Sequence, residues 1–257
     1  MLSSILLDIK LPEWLEDWLA DLADQFVLNF VKDDRYMYIL KGLGVTLIVT
    51  FFAVLLGIAL GVLVAIIRST HDKLVTDMRG GVGKAILSIL NQIANLYLTV
   101  IRGTPVVVQL MIAYFVIFST SNNKILVAIL AFGFNSGAYV AEIIRSGIMS
   151  IDQGQFEAGR SLGFNYVQTM AYIIIPQAFK NVLPALANEF IVLLKETSVS
   201  GYIGLEDMTK GGDIIRSRTY SAFMPLLAVA AIYLIIVVFF SKLVTLLERR
   251  LRNSERH

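Results

Sequence analysis

The chain has 257 residues, no cysteine and a formal net charge of +2, with 56% hydrophobic and only 16% charged residues. A soluble domain is typically about a quarter charged and under half apolar, so this composition predicts an integral membrane protein and excludes a nucleic-acid binder of the basic-patch kind. The lack of cysteine excludes a disulfide framework, a thiolate metal site and a cysteine nucleophile, and two distant histidines, His71 and His257, argue against a histidine metal site.

An amphipathic helix is the first predicted element, within an N-terminal segment of residues 1–36. Apolar side chains recur at helical spacing from Leu11 to Phe26, with five acidic residues between them. Trp14 and Trp18 favour a position in the membrane interface, whereas the acidic face leaves docking to a protein equally open. The segment lacks a basic start followed by an apolar run, so we do not expect a cleavable signal peptide.

Charge-free windows predict about five membrane-spanning helices in residues 37–257, because about 20 apolar residues are needed to cross a bilayer. Residues 183–194 form a short window that contains Glu189, which predicts a short span or a re-entrant segment. The three clearest windows are residues 42–67, 125–141 and 219–241.

The remaining predicted span, which is the second in chain order, is a broken element. Residues 85–101 and 103–123 are separated by Arg102 alone, and Pro105 follows closely. Proline removes a helix hydrogen bond and restricts the preceding residue, so we interpret both windows as one long element broken near Gly103. Two separate spans in a tight hairpin are the alternative.

Lysine and arginine residues predict the orientation of the spans. The loops at 68–84 and 145–182 and the C-terminus carry twelve of these residues, against eight on the opposite side. We therefore expect the C-terminus and the 145–182 loop in the cytoplasm, and the N-terminus outside.

The polar segment from Ser150 to Pro184 is typical of a short helix, a glycine turn and a second helix. Gly163 suits the end of the first helix. Such a unit is either a docking surface or an ordinary connecting loop, and periodicity does not distinguish the two.

Four short motifs follow one another between residues 42 and 247. They are Arg102-Gly103-Thr104-Pro105 with Gln109-Leu110, Tyr139-Val140-Ala141-Glu142-Ile143, Glu157-Ala158 with Gly163 and Ile173-x-Ile175-Pro176, and Leu194-Lys195-x-Thr197-Ser198. The third resembles the "EAA" loop of ABC importer permeases, and the first is similar to the signature of their polar amino-acid uptake subfamily. Gly159 stands where the third alanine is usual and Ile175 where leucine is usual; both changes are small.

The resemblance implies an all-α integral membrane protein with about five transmembrane helices of the type I ABC importer permease, preceded by the amphipathic interfacial helix. It implies a permease that passes a polar amino acid, a class that includes the cationic ones, through the bacterial inner membrane. The partners would be two ATPase subunits, a second permease chain (homodimer or heterodimer), an extracytoplasmic binding protein and membrane lipid. The ATPases would grip the loop at about 150–184 through Glu157, Ala158, Gly159, Arg160, Leu162 and Gly163.

No nucleotide site is expected in this chain. Residues 80–84 read Gly-Gly-Val-Gly-Lys, but Met78 replaces the first glycine of a phosphate-binding loop and Ala85 replaces its hydroxyl residue. ATP and magnesium would therefore belong to the partner ATPase, and this chain would need no cofactor and would not be an enzyme. The alternative function is a stand-alone secondary transporter or channel for small polar solutes.

Polar groups at membrane depth are costly and are therefore candidate pathway residues. The carboxylate of Glu196 could bind a substrate ammonium, or it could form a salt bridge with Lys195 or Arg102. Glu142 and Arg145, one turn apart, predict a structural ion pair. The Gly57-x-x-x-Gly61 and Gly133-x-x-x-Gly137 pairs predict close helix packing, within the chain or between subunits. The candidate pathway residues are Asn95, Thr104, Gln109, Glu196, Thr197 and Ser198; helix-to-helix hydrogen bonding is the alternative role of the first three.

Overall fold

The computed structural model describes residues 12–75, 78 and 80–253, and all regular secondary structure in them is helical. Five helices are long and apolar enough to cross a membrane, which confirms the predicted number. They are Tyr36–Leu74, Val82–Gly103, Lys124–Met149, Tyr166–Ile203 and Phe223–Leu251.

The N-terminal amphipathic segment forms a helix, α1, over Glu13–Phe26, and none of its residues is buried. A π-helical turn at Val27–Val31 and a 3-10 turn at Lys32–Asp34 then lead into the first long helix. Leu11, with which the predicted helix begins, lies outside the described residues.

The centre of the fold is the close contact between α2 (Tyr36–Leu74) and α5 (Lys124–Met149). A Cβ atom on Gly57 would lie 2.8 Å from the hydroxyl oxygen of Ser136, and one on Gly133 would lie 2.6 Å from the side chain of Leu56. The small residues of both glycine pairs therefore serve packing within the chain, which was one of the two expected roles. The buried core beside them comprises Val49, Ala53, Val54, Leu110, Ala128, Phe132, Leu193, Ile203 and Leu205.

The predicted break after Arg102 is present. Helix α3 (Val82–Gly103) ends there, Thr104 is extended, and α4 (Val106–Ile112) begins after Pro105 and continues as a π turn to Ile117. These 12 residues after the break are too few to cross a bilayer alone. The structure therefore favours one broken element over two separate spans.

The fourth long helix differs from its prediction. The first helix of the polar segment is α6 (Gln153–Ser161), but the second, α7 (Tyr166–Thr169), runs through a π turn into α8 (Ile175–Glu196). A continuous helical segment thus extends from Tyr166 to Ile203, and the short window of 183–194 was wrong in length. Glu189 is buried against α5 instead of facing lipid, so its charge does not end the helix.

The last span also begins later than predicted. Thr219 is the final residue of a separate helix, α9 (Met208–Thr219), and Tyr220 adopts a left-handed conformation at φ 55°. Helix α10 then runs over Phe223–Asn253. Helix α9 was not predicted, because its charged residues and its glycine pair mask any apolar period.

Candidate functional site

Helix α6 is closed at both ends by local hydrogen bonds. At its start, the Asp152 carboxylate accepts from the backbone N–H of Gly154 at 2.6 Å. At its end, the N–H groups of Gly163 and Phe164 donate to the carbonyls of Arg160 and Gly159 at 2.9 and 3.0 Å. This pair of bonds requires the φ of +80° that Gly163 adopts, so the predicted glycine stop is confirmed.

One face of α6 packs against the membrane helices. Gly159 is buried, and a Cβ atom there would lie 2.7 Å from the side chain of Thr169 on α7. On α2, the Lys73 ammonium lies 4.6 Å from the centre of the Phe156 ring, a cation–π distance. A cavity of about 260 Å³ separates these helices, and Asp72 and Arg145 line it.

The other face of α6 is exposed. The Leu162 side chain is 71% exposed although it is apolar, which is typical of a surface that binds a partner. Among the six predicted coupling residues, only Gly159 is buried; the exposed ones are Glu157, Ala158, Arg160, Leu162 and Gly163.

A hydrogen-bond network surrounds the break between α3 and α4. The side-chain amide of Gln109 donates to the carbonyls of Ile101 and Thr104, at 2.7 and 3.1 Å, and to the Thr104 hydroxyl at 2.8 Å. Its oxygen accepts from the amide of Asn135 on α5 at 2.9 Å. Because Pro105 offers no N–H group, Gln109 satisfies the carbonyls that the break frees. The structure thus brings Thr104 and Gln109 together, and both take part in hydrogen bonds between helices, which was the alternative to a role in the pathway.

An open groove of about 490 Å³ lies between the end of α3, α5 and α8. Arg102 on one wall contacts Glu142 at 3.4 Å, and Glu142 also contacts Arg145 at 3.6 Å, which confirms the predicted ion pair. Glu189 also lines the groove; its carboxylate accepts from the Ser136 hydroxyl at 2.9 Å. The groove therefore presents a guanidinium and two carboxylates within a largely apolar bundle.

The remaining predicted pathway residues lie outside this groove. Glu196 has no cation within 4.0 Å among the described residues, and Arg102 contacts Glu142 instead, so the expected salt bridges of Glu196 are not formed. The Thr197 hydroxyl is buried and donates to the Leu194 carbonyl at 2.8 Å. Ser198 is half-buried, and Asn95 is exposed on α3.

Sequence reasoning did not select Glu189 as a pathway residue. It is only 8% exposed, yet it borders the groove. Its signal was available, since it is the one ionisable residue in the apolar window 183–194, and an acid at membrane depth is itself a functional candidate. Asn135 and Ser136, the hydrogen-bond partners of Gln109 and Glu189, could not be selected from the sequence, because their roles depend on which helices α5 contacts.

Comparison with known proteins gives one consistent family. Residues 81–253 match the model of the binding-protein-dependent transport system inner membrane component family. The chain is 36% identical over 220 residues to the putative glutamine transport system permease protein GlnP of Rickettsia typhi, covering 84% of this chain and 94% of the relative. It is 35% identical over 222 residues to the arginine transport system permease protein ArtQ of Bacillus subtilis, covering 85% and 94%.

Solved structures give the same picture of the fold. An amino acid ABC transporter crystallised with histidines is similar at a TM-score of 0.75 and 42% identity, over 86% of this chain and 98% of that one. An inward-facing structure of the MetNI methionine ABC transporter has a TM-score of 0.71 over 86% and 99% of the two chains. Its identity of 18% makes it evidence for the fold alone.

Proposed function

The chain belongs to the family of binding-protein-dependent transport system inner membrane components, and from this premise we infer that it is the membrane-spanning permease subunit of an ATP-driven amino-acid importer. The observation that carries this function is the similarity, over nearly the whole length of each relative, to permeases named for glutamine and arginine transport. The five long apolar helices and the type I fold agree with it.

We propose that the groove between α3, α5 and α8 is part of the route of the amino acid. Every amino acid carries an ammonium and a carboxylate group. Glu189 could bind the ammonium, and Arg102 could bind the carboxylate once it leaves Glu142. Glu196 and Ser198 lie further along the same helical segment and would contact the substrate at another stage. Thr197 is fully buried, so it would take part only if the segment rearranged.

We further propose that α6 transmits force from a separate ATPase. Its capped ends make it a rigid unit, and its exposed face offers Glu157, Arg160 and Leu162 to a partner. Two ATPase subunits that carry ATP and magnesium would each grip one such helix, and a second permease chain, identical or different, would complete the pathway. A change in the ATPases would then shift the bundle between inward and outward openings.

The proposed location is the bacterial cytoplasmic membrane, with α6 and the C-terminus in the cytoplasm. An extracytoplasmic binding protein would deliver the amino acid to the opposite side. The alternative, a stand-alone transporter or channel, predicts that the isolated chain moves solute without ATP, whereas the importer proposal predicts that it does not.

The test is uptake of radiolabelled glutamine, arginine and histidine into proteoliposomes that contain this chain, its ATPase and its binding protein. We expect ATP-dependent uptake, and we expect Glu189→Gln to lower it at least about tenfold, because one charge-assisted contact is worth roughly 1.5–3 kcal/mol. Glu196→Gln is the comparison at the other acid, and Glu248→Gln, an exposed acid near the end of α10, is the matched control.

Each outcome has a defined meaning. Loss of uptake in Glu196→Gln but not in Glu189→Gln would assign the substrate ammonium to Glu196 and refute the role of the groove. If either variant lost uptake of arginine but kept uptake of glutamine, the acid replaced in it would bind the cationic side chain of the substrate. Uptake by this chain alone without ATP would overturn the importer assignment.

A further inference from the structure

The apolar face of α1 is largely uncovered by the other described residues. Trp14, Trp18 and Phe26 are 69%, 54% and 53% exposed, and the one extensive contact of the helix is with the π turn that follows it. The family match begins at residue 81, so α1 lies outside it. An exposed apolar face of this kind indicates an interaction surface.

The end of α1 is held where two long apolar helices begin. Asn29 is fully buried; its amide donates to the Ser221 hydroxyl at 3.3 Å, and its oxygen accepts from the Thr219 hydroxyl at 2.7 Å. Arg35 donates to the Leu28 carbonyl at 2.7 Å. Ser221 lies two residues before α10, and Arg35 directly precedes α2. The charge-free stretch of α10 begins at its first turn, so these bonds hold the π turn that follows α1 close to the membrane surface.

Exposed apolar side chains also lie on both sides of the charged turn Lys32–Asp34, which joins the π turn to α2. Val27 and Val31 are 51% and 54% exposed, and Leu40 is 50% exposed on a helix of membrane-spanning length. Tryptophan, which occurs twice on α1, is enriched at membrane–water interfaces. We propose that α1 lies in the interface of the bilayer on the side where α2 begins, with its apolar face in the lipid and its acidic face in the water.

The charge of α1 defines the lipid that it accepts. Its residues Glu13–Phe26 include five acids and no base. Anionic headgroups repel such a face within about one Debye length, roughly 8–10 Å at moderate salt. The helix therefore inserts more deeply into a zwitterionic surface than into an anionic one. This is the reverse of the basic amphipathic helices that depend on anionic lipid.

The two tryptophans make the proposal directly measurable. The chain contains only these two, so the intrinsic tryptophan fluorescence of the full chain in vesicles reports on α1 alone. We expect strong quenching by phosphatidylcholine brominated near the headgroup, weaker quenching when bromine lies deep in the acyl chain, and little quenching by aqueous iodide. Addition of phosphatidylglycerol should reduce the shallow bromine quenching.

A matched pair of variants tests the orientation of the helix. Leu19→Glu places a charge on the apolar face and should lower the shallow bromine quenching by about half, whereas Ala20→Glu places it on the acidic face and should leave the quenching unchanged. Quenching by iodide but not by bromolipid in the native chain would mean exposure to water. Quenching by neither agent would mean a protein partner. Either result would overturn the proposal, and neither depends on transport activity.

Discussion

Asp207 is a buried carboxyl whose role is to cap a helix. It is 1% exposed, and it accepts from the backbone N–H groups of Lys210 and Thr209 at 3.0 and 3.1 Å, at the start of α9. Burial raises the pKa of this carboxyl above its ordinary value, because the hydrogen bonds only partly offset the loss of hydration. Asp207 therefore caps α9, but burying its ionised carboxylate costs free energy.

This cost predicts a pH dependence of stability. A carboxyl whose folded pKa is raised favours folding most below its unfolded pKa, and that contribution is lost as the pH rises through the folded pKa. Asp207→Asn keeps a capping oxygen but cannot titrate. The thermal stability of the native chain in detergent should thus rise relative to Asp207→Asn when the pH falls from neutral towards about 4.

Asp207→Ala is the control for the cap itself. It removes both hydrogen bonds and should have a free energy of unfolding about 1 kcal/mol lower than that of Asp207→Asn at every pH, because neither side chain titrates. A stability difference between the native chain and Asp207→Asn that does not change with pH would show that the carboxyl titrates equally in the folded and unfolded chains.

At the scale of elements, the sequence predicts what depends on local chemistry. The break at Pro105 and the helix end at Gly163 follow from backbone constraints of single residues, and both are present. The helix starts are less accurate, because the predicted windows begin at residues 42 and 183, although the helices begin earlier, at Tyr36 and Ile175. The role of Glu189 depends on its contact with Ser136, 53 residues away, and no local pattern contains that information.

The packing of α6 leads to a test of coupling. Gly159→Ala would restore the residue usual in the resembling loop, but its Cβ would lie 2.7 Å from the side chain of Thr169. Overpacking of this kind destabilises a packed site by about 1–3 kcal/mol, so α6 should move away from α7. We expect the amount of amino acid transported per ATP hydrolysed to fall in the reconstituted complex, whereas Ser161→Ala, an exposed site on the same helix, should not change it.

A second substitution separates this clash from other effects of alanine. Gly159→Ala combined with Thr169→Ala removes two of the crowding atoms and should regain part of the lost coupling. An unchanged transport ratio in Gly159→Ala would mean that the position of α6 against Thr169 does not matter for coupling.

At the scale of the whole molecule, α5 connects the two candidate sites. Its residue Arg145 contacts Asp72 beside the α6 cavity at 3.2 Å and also Glu142 in the groove at 3.6 Å. Glu142 in turn contacts Arg102 at the broken element. A displacement of α6 would therefore reach the groove through a chain of ion pairs and through a rigid helix, without any contact between α6 and the substrate.

The proposed coupling role requires α6 in the cytoplasm, and a single crossing by the following helix would then place α9 on the opposite side of the membrane. The absence of cysteine makes this topology easy to test. The helical segment Tyr166–Ile203 separates the two helices, and it is long enough to cross once. Ser161 on α6 and Ser217 on α9 are both exposed. A membrane-impermeant maleimide should label Ser217→Cys in right-side-out vesicles and Ser161→Cys only in inverted ones, while the cysteine-free native chain shows the background.

Labelling of both variants from one side would mean that Tyr166–Ile203 does not cross. Labelling in the reverse order would place α6 outside, where no cytoplasmic ATPase could reach it, and would refute the proposed coupling role of Glu157 and Leu162.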